Sequence, residues 1–408
     1  MRRLIAVLLA LVVGGAGVGS FAYRARAGAG DTGRPGAYPT SEQVTNFPYM
    51  LGQYERMVEQ GRNPIAVFGS SELNAAPAGP AHPGDLLAPG RSDVSVMACG
   101  RAGCIDLWQA IEVGAFAGHL QGKRIVLIPS IQWFMSYRRP DQDFPGTFSQ
   151  GAFEAFMANA SISDGVKRRV VDRMREYGVE RGESPLPWSR AVDAIDCAVA
   201  STVESARLAC NPGAAAAASD ASGPSGSVDD AGAFPRNGAA PNWERVFSQA
   251  DRYARAACGS NELGLNDRWY KQTYEKWVAG ANKNWKVKQG QWFSEQEYED
   301  FQLVLDVCRE AGLEPLVLIQ PVKGAAYDRT PYDRAVRAQW YGRMRELCRE
   351  AGVAIADFSS HEYDTYFLRE YSHPSGLGGA YYAQAIYSFA KTGEAATGDP
   401  RGVSKVRS

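Results

Sequence analysis

The sequence predicts one α/β domain built on a mainly parallel sheet with flanking helices. Three observations carry that prediction. Short, largely apolar runs at residues 65–68, 94–98 and 125–128 are separated by stretches of helical periodicity, the alternation expected of βαβ units. The last third of the chain resumes it, with apolar runs at 316–319 and 353–356. Strands covered on both faces have no solvent side on which to alternate, so they read as continuous apolar runs. Between the two halves lies a polar, helical stretch, which reads as an insertion into one sheet rather than a second domain.

In order along the chain, Arg2 and Arg3 precede residues 4–23, which carry no charge, and Arg24 and Arg26 follow. About 20 apolar residues span the hydrocarbon core of a bilayer, and the glycines at 14, 15, 17 and 19 are tolerated in such spans. Residues 1–27 therefore read as an N-terminal transmembrane anchor. The competing reading is a cleaved signal peptide, with Ala25-Arg26-Ala27 as the cleavage site. Either one sends the rest of the chain across a membrane. Two arginines stand on each side of the span, so charge alone does not orient it. Residues 28–43, rich in Gly, Pro, Thr and Ser, read as a flexible stalk.

The domain then spans 44–391. A helical run at 44–61 leads into the first strand, and a helix at 105–120 lies between the second and third. The sheet halves cover about 44–140 and 290–390, interrupted by a helical insertion at 150–285. Within it, residues 211–240 are low-complexity Ala/Gly/Ser/Pro and too poor in large apolar groups to offset their ordering entropy, so they read as disordered. Helices resume at 243–257 and 267–279. Near the end, Cys308-Arg309-Glu310-Ala311-Gly312 and Cys348-Arg349-Glu350-Ala351-Gly352 echo each other. Each closes a helix on glycine ahead of a strand. The tail at 392–408 reads as disordered.

Composition narrows the chemistry. Lys and Arg total 44 against 45 Asp and Glu, a net charge of −1, so no global field favours nucleic acid. The seven cysteines form no C-x-x-C pair, and His82, His119, His361 and His373 are scattered. That excludes a zinc site of standard spacing, and no cofactor is expected. Disulfides are possible outside the cell, with the odd count leaving a thiol over. Cys308 and Cys348 read as small buried residues.

In open parallel sheets reactive groups gather at the carboxyl ends of strands. Ser70 and Ser71 follow the first strand behind Gly69. A serine there followed by Glu72 is also an ordinary helix start. His373 lies after the last strand, with Glu370 three residues before it, a spacing that lets a carboxylate reach Nδ1–H. Gly100-Arg101-Ala102-Gly103 follows the second strand and offers backbone N–H donors. Ser130-Ile131-Gln132-Trp133-Phe134 follows the third and offers a side-chain amide. Together these are the parts of a serine–histidine acyl-transfer site with an oxyanion hole.

Phe68-Gly69-Ser70-Ser71-Glu72-Leu73 and Ser130-Ile131-Gln132-Trp133-Phe134 carry a more specific resemblance. It continues in Ser260-Asn261-Glu262-Leu263-Gly264-Leu265-Asn266-Asp267, in Gln320-Pro321-Val322-Lys323-Gly324 with Tyr327-Asp328, and in residues 362–373. Over nearly its full length after the anchor, the chain resembles the DltD family of D-alanyl transfer proteins. The resemblance implies an SGNH-hydrolase-like (flavodoxin-like) sheet, in a single-pass cell-membrane protein whose domain is extracytoplasmic. It implies work with a membrane-bound O-acyltransferase and a D-alanyl donor system, placing D-alanine esters on an anionic teichoic-acid-like cell-wall glycopolymer. By motif it makes Ser71 the nucleophile, with Ser70 as fallback, and His373 the general base and acid. Glu370 becomes the orienter, and Gly103 and Gln132 the oxyanion donors. The family usually has aspartate where Glu370 stands, a difference of one methylene in reach but not of charge, and residues 211–240 look like an added loop. Two other functions fit the same residues: an O-acetylesterase of polysaccharide or peptidoglycan, and a non-catalytic partner or chaperone of the acyltransferase.

Overall fold

A computed structural model describes residues 44–62, 64–74, 81–180, 234–235 and 238–395. The expected anchor at 1–27, the stalk at 28–43, residues 211–233 of the low-complexity stretch, Cys197, Cys210 and the end of the tail lie outside the described residues. Among the described residues no helix is long and apolar enough to cross a membrane.

The described chain begins with α1 (Phe47–Glu59), whose first turn is capped by the Asn46 side chain accepting the Tyr49 N–H at 3.0 Å. Phe47, Met50, Tyr54 and Met57 of α1 are buried, the three-and-four spacing of a helix with one face on a core. There follow β1 (Pro64–Gly69), the one-turn α2 (Ser71–Asn74), α3 (Pro83–Leu86), β2 (Ser95–Gly100), α4 (Asp106–Phe116), β3 (Arg124–Leu127) and α5 (Ile131–Phe134). After β3 come α6 (Gln150–Ala158), α7 (Asp164–Glu176), α8 (Trp243–Cys258), α9 (Glu275–Asn284) and α10 (Glu295–Glu310). The chain closes with β4 (Glu314–Ile319), α11 (Gly324–Tyr327), α12 (Arg334–Ala351), β5 (Ala354–Asp357) and α13 (Gly376–Thr392).

The five strands pair in parallel in the order β2-β1-β3-β4-β5. This is the doubly wound order in which the winding reverses between β1 and β3, opening a crevice at their carboxyl ends. Side chains alternate cleanly: Ala66, Phe68, Ile125, Leu127, Val317 and Ile319 enter one core, and Ile65, Val67, Val126, Leu316 and Leu318 the other. The first core takes its helical cover from α1, α4, α10 and α12, the second from α13.

The segment between β3 and β4 contributes to both layers. Asn159, just past α6, donates to the Gly114 carbonyl of α4 at 2.8 Å, and Arg173 of α7 meets Asp300 of α10 at 2.6 Å. On the far side, Trp243 and Phe247 of α8 pack against Tyr387 and Tyr381 of α13, with centroids 5.5 and 4.7 Å apart. The helix expected at 267–279 is present and carries one irregularity. A short turn (Asp267–Trp269) is followed by a wider helical turn at Tyr270–Tyr274 before α9 begins. The wider turn brings the Tyr270 and Tyr274 rings into a stack at 5.1 Å. Gly312 and Gly352 both close their helices at φ +68°, and Cys308 and Cys348 are buried thiols.

Candidate active site

The nucleophile turn is built by close approach. Gly69 ends β1 directly beside Gly100 of β2. A Cβ on Gly100 would collide with the Gly69 carbonyl, so only glycine lets the two strand ends come this near. The Ser70 N–H donates to Glu72 Oε1 at 2.5 Å, and the Ser70 hydroxyl donates to the Arg101 carbonyl at 3.2 Å. Both polar groups of Ser70 are thus committed inside the fold. Ser71, half-buried at the start of α2, is placed differently: its Oγ lies 2.8 Å from His373 Nε2.

His373 sits in the loop between β5 and α13. Leu368 and Pro374 bridge across this loop, and the Arg369 N–H donates to the His373 carbonyl at 3.0 Å. Glu370 is folded into the turn. Its Oε1 accepts the N–H groups of Ser372 (3.1 Å) and His373 (2.6 Å) and stands 2.7 Å from His373 Nδ1. The ring N–H is not aligned with that oxygen, so this contact acts through charge more than as a linear hydrogen bond. Burial works against ionising Glu370, but the His373 charge and these N–H donors outweigh it and hold the carboxyl below its usual range. The extra methylene of glutamate is absorbed because the carboxylate folds back onto its own loop's amides. With Nδ1–H facing Glu370, Nε2 is the acceptor facing Ser71.

Gly103 lies in the turn between β2 and α4 at φ +97°, the turn whose Arg101 carbonyl receives Ser70. Gln132, on α5 just after β3, donates from Nε2 to the Tyr327 hydroxyl at 3.1 Å. Its amide also meets the Tyr371 hydroxyl. The geometry therefore joins Ser71, His373 and Glu370 in one line of contacts. Gly103 and Gln132 follow β2 and β3, the two strands that flank β1, and the Gln132 amide is held by two tyrosines.

Several supporting residues escaped the sequence reading, although most lie inside the motifs quoted above. Trp277 of α9 stacks on Tyr371 at 4.9 Å and 18°, and Tyr371 lies 6.2 Å from the His373 ring. The Asn266 N–H donates to the Arg369 carbonyl at 2.6 Å. Lys323 is buried; its N–H donates to the Tyr371 carbonyl at 2.9 Å and its Nζ to the Asp364 carbonyl at 3.0 Å. Burial brings its amine down to about 8. Arg337, wholly buried, grips both Glu362 oxygens at 2.7 and 3.0 Å and reaches Asp328 at 3.0 Å. These contacts tie the loops after β4 and β5 to each other and to the segment before α9.

The buried histidine beside the turn, His82, is structural. Burial pushes His82 down to about 4. The neutral ring caps α3 through Gly84 N–H at 3.3 Å, while its Nε2 meets the Glu72 carbonyl at 2.9 Å. Among the described residues no group of His, Cys, Asp and Glu could hold a metal ion.

The profile of the DltD protein family matches residues 50–391. Protein DltD of Bacillus subtilis (strain 168) is 28% identical over 342 residues, covering 81% of this chain and 83% of that protein. Protein DltD of Staphylococcus aureus (strain NCTC 8325 / PS 47) is 23% identical over 324 residues, covering 78% and 79%. The matched span holds the Ser71 turn, the Gln132 helix and the His373 loop alike, and the chain belongs to the DltD family.

Proposed function

We propose that this chain transfers an acyl group, D-alanyl in the reading its family favours, to or from a teichoic-acid-like cell-wall glycopolymer outside the cell, through an ester on Ser71. The observation that carries the proposal is the 2.8 Å contact of Ser71 Oγ with His373 Nε2, backed by Glu370 at 2.7 Å from Nδ1. Serine becomes a usable nucleophile when a base is within hydrogen-bond reach and a third group orients that base. The protein is anchored by its N-terminus in the cell membrane, and a membrane-bound O-acyltransferase and a D-alanyl donor system work beside it. Membership of the DltD family and the uncharged stretch at residues 4–23 support that placement.

In the first half-reaction His373 Nε2 takes the Ser71 proton as Oγ bonds to the donor's carbonyl carbon. The oxyanion accepts hydrogen bonds from the Gly103 N–H and from Gln132 Nε2, which exchanges a tyrosine oxygen for it. On collapse the bond to the donor's leaving atom breaks, and that atom receives the proton from His373. In the second half a polymer hydroxyl gives its proton to His373 and attacks the acyl–Ser71 ester, and Ser71 leaves with the proton returned. Glu370 holds the ring in place and stabilises the imidazolium in both halves.

The test uses the full-length chain in detergent, as wild type and as Ser71→Ala, on short acyl esters and on D-alanylated polymer. Acceptor-dependent transfer by the wild type, absent from Ser71→Ala, is the expected result. Hydrolysis to water without transfer would make it an esterase. Cells that still acylate the polymer with Ser71→Ala would make it a non-catalytic partner.

A further inference from the structure

We infer that Glu72 is a positioning residue for the nucleophile: by holding the Ser70 amide, its carboxyl group sets where Ser71 Oγ points. The inference rests on reading Ser71 as the nucleophile. Glu72 is only 4% exposed, an expensive place for a carboxyl group unless its oxygens are used. They are used at the turn itself. Oε1 takes the Ser70 N–H at 2.5 Å, and the Gln320 side-chain amide, from the end of β4, bonds the same carboxyl. The Glu72 carbonyl is held in turn by His82 Nε2 at 2.9 Å. Glu72 therefore links the nucleophile turn to β4 and to the start of α3.

Gly69 is shaped to admit it. A Cβ at Gly69 would fall on Glu72 Oε1 first, then approach Leu73 Cδ1 at 3.0 Å and Ile128 Cβ at 3.3 Å. The missing side chain of Gly69 is the space that the carboxyl occupies. Since Ser70's hydroxyl is separately tied to the Arg101 carbonyl, the residue before Ser71 is fixed at both its backbone and its side chain. Displacing a reacting group by about 1 Å costs on the order of 10²-fold in rate, which is the scale at which this turn acts. Burial also pushes the Glu72 carboxyl up toward its neutral form, so glutamine is a fair replacement for it.

The probe is a fluorophosphonate. It forms a bond from Ser71 Oγ to phosphorus as fluoride leaves and the proton passes to His373, and it needs no acceptor polymer. On the full-length chain, Glu72→Ala should slow labelling by roughly 10- to 10²-fold and lower kcat for a short ester with KM unchanged. Glu72→Gln, which keeps an oxygen for the Ser70 N–H, should recover labelling to within about fivefold of wild type. Gly69→Ala, which pushes a methyl group into the place of Oε1, should match Glu72→Ala. The double variant should be no slower than either single one, the non-additivity of residues acting through one contact. Wild-type labelling rates in Glu72→Ala overturn the inference, as does an equal loss in Glu72→Gln with unchanged Tm. If Glu72→Ala does not fold, Gly69→Ala against Glu72→Gln decides the matter. Wild-type protein that fails to label, or Ser71→Ala that labels equally, overturns the nucleophile reading itself and this inference with it.

Discussion

His373 Nε2 stands 2.8 Å from Ser71 Oγ across 302 positions of sequence, while the hydroxyl of the adjacent Ser70 is turned onto the Arg101 carbonyl. The two serines therefore predict opposite results. Ser71→Ala should abolish fluorophosphonate labelling and reduce turnover by about 10³-fold or more, with Tm little changed. Ser70→Ala removes one hydrogen bond while the Arg101 carbonyl keeps the Cys104 N–H as donor, a cost of about 0.5–1.5 kcal/mol, and should lower Tm modestly while labelling persists at Ser71. Mass spectrometry of the labelled peptide reports which oxygen reacted. A label on Ser70 in the wild type would reverse the assignment.

Glu370 makes a prediction in pH. Its carboxyl is held below the usual range in the folded protein, whereas the unfolded chain protonates it near about 4.3. A depressed folded value means that its contribution to stability is complete above about pH 4.3 and fades as pH falls through the folded value. Glu370→Gln should thus lower Tm at pH 7, and the gap from wild type should shrink steadily from about pH 4.3 downward. A gap that stays constant down to pH 3 would mean the carboxylate is not the stabilised species. At neutral pH the same variant should lose about 10²-fold or more in ester turnover, since the imidazolium loses its counter-charge.

The sequence exposed the parts of this site whose signal is local. β1 to β4 were legible because they are covered on both faces and so read as largely unbroken apolar runs, the half-buried edge strand β5 showed as the short apolar run at 353–356, and the closing glycines at 312 and 352 were legible from turn chemistry. Ser71, Glu370 and His373 stood out because few residue types do acyl chemistry; Ser71 directly follows β1, and Glu370 and His373 lie in the loop between β5 and α13. What could not be read is what pairs at a distance. Periodicity does not say that β1 lies between β2 and β3. Nothing near Gln132 announces that it meets Tyr327, 195 positions away. Glu72 looked like an ordinary helix-start residue because its burial depends on Gly69, Gln320 and His82 arriving from three elements.

The Arg337–Glu362 pair should behave as a brace rather than a participant. Its guanidinium is wholly buried and bonds Glu362 through two nitrogens, with Tyr341 donating to the same carboxylate at 2.8 Å. Removing one member of such a pair strands a buried charge, at about 3–5 kcal/mol. Arg337→Ala should therefore unfold at a markedly lower denaturant concentration. Arg337→Lys should recover little, because an ammonium cannot reproduce the two-nitrogen fork. Arg337→Met combined with Glu362→Gln should recover more than Arg337→Ala, because the buried Glu362 charge is removed with its partner and the Asp328 carboxylate, the other partner of Arg337, is exposed to water. Denaturant titration of the three variants checks the order.

The segment before α9 should prove to hold the histidine loop in register. Gly264, at φ +61°, packs so closely on that loop that a Cβ would come within 2.9 Å of the Tyr366 nitrogen. Tyr366 itself sits at φ +67°, the single non-glycine residue with positive φ among the described residues. Such a conformation costs on the order of 1–3 kcal/mol and persists when its surroundings impose it. Two residues on, the Asn266 N–H fixes the Arg369 carbonyl, whose own N–H fixes the carbonyl of His373. Gly264→Ala adds a collision and forces alanine into the left-handed region, so the loop must give. The expected outcome is a loss of roughly 10- to 10²-fold in labelling of Ser71 with most of the global stability kept, because the collision falls on Thr365 and Tyr366 and not on the strands. Tyr366→Gly is the converse test. It removes the local strain and should leave Tm level or higher, yet labelling should fall if the strained tyrosine helps to aim His373. Unchanged labelling in both variants would show that the clasp and the histidine move independently.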